Sequence, residues 1–255
     1  MTELIKVKNT SYILYEELLL KRENLKKEGE QFYISYLQIF GELMTESFQK
    51  KIECIRKKKM IAYCQRCMNQ GKDINSMDLN RFIQDEMESY EEELKLMTEN
   101  AKAAAKAKDL SAEQILMIKD IYYRLARRIH PDMHPELADD KNVQDYWNQI
   151  VIAYQHNQLS ELEELEVMVN AYLEKKHSNT DEIVIVDVEN KTKRIEREIE
   201  HIISVKPYTY RFILEDEKKR EEQKAAFQKD IDEYSQYSLE LDDVLKNFPI
   251  KEMFA

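Results

Sequence analysis

Three glycines and four prolines in 255 residues leave this chain few places to turn sharply, where an average protein carries about 7% and 5%. Glycine supplies the left-handed backbone that tight turns need. With so few, no glycine-rich phosphate loop is available, which argues against a compact α/β enzyme. Charged residues make up 35% of the chain and mean hydropathy is −0.68, so the surface is large relative to the core. Hydrophobic residues still reach 43%, well above a disordered composition. Together these features predict an all-α fold of long helices with coiled-coil hairpins around a small helical module.

The pattern is helical and amphipathic from about Ser11 to Leu25, and Gly29 is expected to break it. A long helix is predicted from about Gln31 to Asn69, with Gly41 inside it. Asn69–Asp73 reads as a turn. After it, Ile83, Met87, Tyr90, Leu94 and Met97 alternate spacings of four and three, a heptad stripe. Two long helices joined by a short turn suggest an antiparallel hairpin. Asn100–Lys108 reads as a connector. Further on, Ser178–Asp181 is a linker. Glu182–Val188 is β-branched and fits a short strand, a helix start or an ordered linker. The last helix carries Phe227, Ile231, Tyr234, Leu241, Leu245 and Phe248, with Ser238 standing in the missing heptad position. Residues 1–108, 109–177 and 178–255 are thus expected to form a helical, partly coiled-coil N-terminal region, a compact module and a C-terminal helical hairpin.

The module at 109–177 holds the most specific signal. Ser111 and Gln114 form a capping-box pattern that starts a helix. Ile115, Ile118, Tyr122, Leu125 and Ile129 make its apolar stripe, while Lys119, Arg124, Arg127 and Arg128 lie mainly off it. Pro131 stops the helix, because its ring pushes His130 out of the α region and it has no N–H for the ladder. His130 and Asp132 are expected on a stiff, exposed turn, stiffened again by Pro135. A second helix is predicted from about Asp140–Asn142, with Trp147, Ile150, Val151, Ala153 and Tyr154 on its apolar side, and a third from about Leu159.

Over about 112–173 this arrangement resembles a J-domain, the module by which DnaJ-like co-chaperones activate the ATPase of DnaK-type heat-shock chaperones. Tyr122, Arg124, Leu125, Ala126, Arg127, Arg128 and His130–Asp132 fall in the positions of the J-domain signature, with Ile129 in place of the usual aromatic. Trp147, Ile150, Ala153 and Tyr154 reproduce the spacing of the following helix. The short leading helix of a J-domain is not recognisable before Ser111. The Gly/Phe-rich linker and zinc motifs of full-length DnaJ proteins are absent, as in J-module-only, coiled-coil bacterial proteins. The resemblance implies that Tyr122, Arg124, Arg127 and Arg128 dock on an acidic chaperone surface, that Asp132 makes the key polar contact, and that His130 and Pro131 shape the loop. The implied partner is a DnaK-type chaperone, with a client held by the coiled-coil arms. The chain itself would carry no catalytic residue, metal or cofactor.

Two other readings compete with this one. Heptad stripes suit a scaffold that self-associates and keeps only a vestigial J-like module. Lys50, Lys51, Arg56, Lys57, Lys58, Lys59 and Arg66 form a basic run that would suit nucleic acid, although the net charge of −11 opposes this and a solvated face paired to acids such as Glu91–Glu93 is the simpler account. Cys64 and Cys67 lack the further ligands that a zinc site needs. Three cysteines, no apolar core of a secretion signal in MTELIKVKNT and no apolar run long enough to cross a bilayer lead us to expect a cytoplasmic protein.

Overall fold

The computed structural model describes residues 10–106, 110–176 and 188–251. In chain order the elements are α1 (Thr10–Asn69), β1 (Ile74–Asn75), α2 (Ser76–Lys106), α3 (Ala112–Ile129), a 3-10 turn (Pro135–Leu137), α4 (Lys141–Gln155), α5 (Leu159–Lys176), α6 (Val188–Ser204), a second 3-10 turn (Tyr208–Tyr210), α7 (Arg211–Leu214), α8 (Glu217–Leu245) and β2 (Ile250–Lys251). The fold is all-α. The linker expected at 178–181 and nearly all of the β-branched run at 182–188 lie outside the described residues.

The break expected at Gly29 does not occur. Helix α1 runs 60 residues through both Gly29 and Gly41. One helical glycine costs only about 1 kcal/mol relative to alanine, which flanking turns that bury Leu25, Tyr36 and Leu37 readily offset.

Two compact units make up the chain, one from Met1–Glu30 and Lys108–Thr209, the other from Gln31–Ala107 and Tyr210–Ala255. They cut across the linear division at 108 and 178. The first part of α1 and helix α6 join the module at 109–177, and the end of the chain joins the long helices.

In the second unit, the later part of α1 pairs with α2 and α8. Arg56 reaches Glu91, Lys59 reaches Glu86 and Gln38 reaches the carbonyl of Ala104, so partners descend along α2 and the two helices are antiparallel. Partners ascend along α8, from Cys54 with Tyr234 to Lys57 with Asp242, so α8 runs parallel to α1. Gly71, at φ +66°, makes the turn after α1 in the left-handed region. Ile83 and Met87 of the heptad stripe are buried with Ile52, Cys64, Cys67 and Ile74. That part of the stripe is therefore occupied within the chain. Ser238 is buried in the register position foreseen for it. Its hydroxyl donates to Glu53 and accepts from Lys57. One element had no sequence signal: β1 and β2 form a two-residue parallel pair, Ile74 opposite Ile250, too short to show any alternation.

The basic run of α1 faces acids. Arg56–Glu91 is 2.5 Å, Lys59–Glu86 2.6 Å and Lys57–Asp242 2.7 Å, so three of the seven cations named for nucleic acid are matched by acids inside the unit. Cys64 is buried mid-helix, and burial raises its thiol pKa. Among the described residues, no three or more His, Cys, Asp or Glu side chains come together in a way that could hold a metal ion.

Gly41 marks a close approach of α1 to α2. A Cβ there would stand 2.9 Å from the Cβ of Ala101. Gly41→Ala gains about 1 kcal/mol of helix propensity but overpacks this contact at about 1–3 kcal/mol. We expect a net loss on the order of 1 kcal/mol in urea unfolding, restored by adding Ala101→Gly. A single variant more stable than wild type would show that the helices separate at no cost.

Candidate functional site

The site lies in the first unit, where α3, α4 and α5 pack pairwise. Helix α3 begins on the predicted capping box: Ser111 Oγ accepts from Gln114 N at 3.1 Å, and Gln114 Oε1 accepts from Ser111 N at 3.1 Å. The stripe is buried from Ile118 through Tyr122, Leu125 and Ile129, widened by Ile121 and Ala126. Ile115, in the first turn, is exposed and lies outside it. Asp140 caps α4 by accepting from Asn142 N and Val143 N. Its carboxylate also takes Lys176 and the Tyr172 hydroxyl of α5. The hydrogen bond from Lys176, more than any other partner, holds the Asp140 pKa below the usual range. Thus one residue starts α4 and ties it to α5.

At the end of α3, His130 N–H makes the last helical bond, to Ala126, and the backbone then becomes extended, at φ −60° and ψ 128°, as the following proline requires. Pro131 and Asp132 are exposed, and the Asp132 side chain is 51% accessible. His130 is not displayed as the sequence suggested. It is only 5% exposed, its ring edge-on to Trp147 at 4.6 Å. Its Nδ1 accepts the Asp132 N–H at 3.0 Å, so the neutral tautomer carries its proton on Nε2. Burial lowers its pKa to about 4, although Asp132 and Glu23 favour the proton. The turn is anchored from below by Met133, fully buried, whose N–H bonds the His130 carbonyl. A large apolar residue directly after the His-Pro-Asp turn was the signal for that anchor, and sequence reasoning passed over it.

Tyr122, to which the resemblance gives a docking role, lies in the core. It is 1% exposed. Its ring stacks on Tyr154 at 3.8 Å and lies 5.9 Å from Trp147. Tyr122 is therefore a core residue behind the basic face. Burial raises its phenol pKa.

The three arginines do reach the surface, and each already has a partner. Arg124 holds Glu166 of α5 through two bonds, of 2.6 and 2.8 Å, a fork that raises the arginine pKa and lowers that of the glutamate. Arg128 bonds Asn170. Arg127 Nε donates to Glu16 of α1 at 2.7 Å. Also on α1, Arg22 lies 3.8 Å from Asp132, 3.0 Å from Glu198 of α6 and 2.7 Å from Glu23. Burial opposes the Arg22 charge, but Glu23 and Glu198 outweigh it and raise the pKa. Lys27, buried beside the site, stands 3.7 Å above the Tyr154 ring, and desolvation lowers its pKa to about 8.

Sequence reading did not find Glu16, Arg22, Glu23 and Lys27. They sit among the buried Tyr15, Leu19, Leu20 and Leu25 of an ordinary amphipathic helix, and nothing local marks their partners. The site is thus a helix–turn–helix arrangement: a proline-ended basic helix, backed by an aromatic core, with an exposed aspartate at its tip. Searches against known protein families, curated proteins and solved structures find no match for the chain. Among the described residues, no helix is long and apolar enough to cross a membrane.

Proposed function

We propose that this chain is a non-catalytic co-chaperone of the J-domain type, acting in the cytoplasm. Through the turn at His130–Asp132 it docks on a DnaK-type heat-shock chaperone, accelerates ATP hydrolysis there and directs the chaperone to a client held by the long helices. The observation that carries this reading is the exposed Asp132, fixed by its N–H bond to the buried His130 beside the accessible Arg124, Arg127 and Arg128. The buried imidazole shapes the turn, the aspartate offers a carboxylate, and the arginines offer charge to an acidic surface. Complementary charge of this kind steers encounter and fixes orientation, so docking should weaken as salt rises.

The test is the steady-state ATPase of the cognate chaperone, titrated to a large excess of this chain. The full-length protein should raise the rate, and Asp132→Asn, which keeps the shape but loses the charge, should abolish the rise. Equal, unstimulated rates with both proteins would overturn the proposal.

A further inference from the structure

Resting on the co-chaperone reading, we infer that Glu16 and Arg22 of α1 are built-in competitors for the docking surface. They hold Arg127 and Asp132 in internal ion pairs that a chaperone must exchange in order to bind. The two pairs share an asymmetry. The inner members are nearly buried, Glu16 at 11% and Arg22 at 14% side-chain exposure, while the outer members, Arg127 at 49% and Asp132 at 51%, are half in solvent. Tyr15, Leu19 and Leu20 beside them lie in the core of the unit, and each such side chain contributes about 1.5–3 kcal/mol of burial. Helix α1 therefore stays in place, and exchange takes place by rotation of the exposed side chains.

Charge makes the competition specific. An acidic partner surface that attracts Arg127 also meets the Glu16 carboxylate 2.7 Å from its Nε, and like charge at that range opposes approach. A cationic group seeking Asp132 likewise meets Arg22, itself held by Glu23 and Glu198. The other two arginines of the face, Arg124 and Arg128, are bonded to Glu166 and Asn170 of α5. The α1 pairs differ in that the competing charges come from a segment more than a hundred residues away in sequence.

The full chain is titrated into a DnaK-type chaperone as wild type, Glu16→Gln and Arg22→Gln, with helix content and Trp147 fluorescence confirming the fold of each. Glu16→Gln keeps the shape and removes the competing charge. It should lower the concentration for half-maximal ATPase stimulation by roughly two- to fivefold, the range of one partly exposed ion pair. Arg22→Gln should act in the same direction, and it carries the test should Glu16→Gln not fold. If wild type stimulates and the folded variants need the same or more protein, the competition does not exist and the co-chaperone reading stands. If no protein stimulates, the co-chaperone reading fails and this inference fails with it.

Discussion

Tyr122→Ala is expected to cost the first unit about 3–5 kcal/mol, while Tyr122→Phe stays within about 1 kcal/mol of wild type. The ring at 122 is fully enclosed, stacked on Tyr154 at 3.8 Å and flanked by Trp147. Truncation to alanine removes the aromatic burial and the stacking together, and leaves a cavity that three packed helices cannot close without moving. Natural domains have only about 5–15 kcal/mol of stability, so the variant should lose a large share of it. Urea unfolding followed by Trp147, the single tryptophan of the chain, reports this unit. The phenylalanine variant keeps the ring, and separates core from docking roles. If Tyr122 acted by touching a partner through its hydroxyl, Tyr122→Phe would lose chaperone stimulation at unchanged stability. Under the proposed co-chaperone function, the geometry predicts that the phenylalanine variant stimulates as wild type does. An alanine variant that unfolds at the wild-type urea concentration would show that the ring is not part of the core.

Tyr122 shows how far the sequence could be read. The stripe Ile118, Tyr122, Leu125, Ile129 was legible because helical period alone places those residues on one face. The start of α3 was legible from Ser111 and Gln114, and its end from Pro131. These signals are local, and local chemistry decides them. Whether a tyrosine on that stripe is a partner contact or a packing element depends on what covers it, here Tyr154 and Trp147. The exposure of His130 was misread for the same reason: a proline ends a helix but does not say which way the preceding ring turns. The contribution of α1 was beyond reach. Glu16 and Arg127 are 111 positions apart, and no periodicity links them. Gly29 was given too much weight, because a propensity penalty of about 1 kcal/mol is small beside tertiary burial.

Acid should loosen the turn that presents Asp132, through His130. Its folded pKa of about 4 lies below the ordinary 6.5. The unfolded chain therefore takes up the proton first as pH falls. The stabilisation is fully present above pH 6.5 and is lost as pH falls toward about 4. Between about pH 7 and about pH 5 the loss is about 2 kcal/mol, from roughly 1.4 kcal/mol per pKa unit. The groups around the ring pull in both directions: Asp132 and Glu23 favour the proton, Arg22 and His134 oppose it, and burial decides. Carboxylates also titrate in this range, so the informative quantity is the stability difference between wild type and His130→Gln. Glutamine fills the site less well, and the variant should be the weaker at neutral pH. The gap should then narrow by about 2 kcal/mol at about pH 5, because only wild type has an imidazole to protonate. Parallel stability curves would mean that His130 is solvated in the folded state. The Asp132 N–H would then lack its neutral Nδ1 acceptor, and the aspartate would no longer be held at the tip of α3.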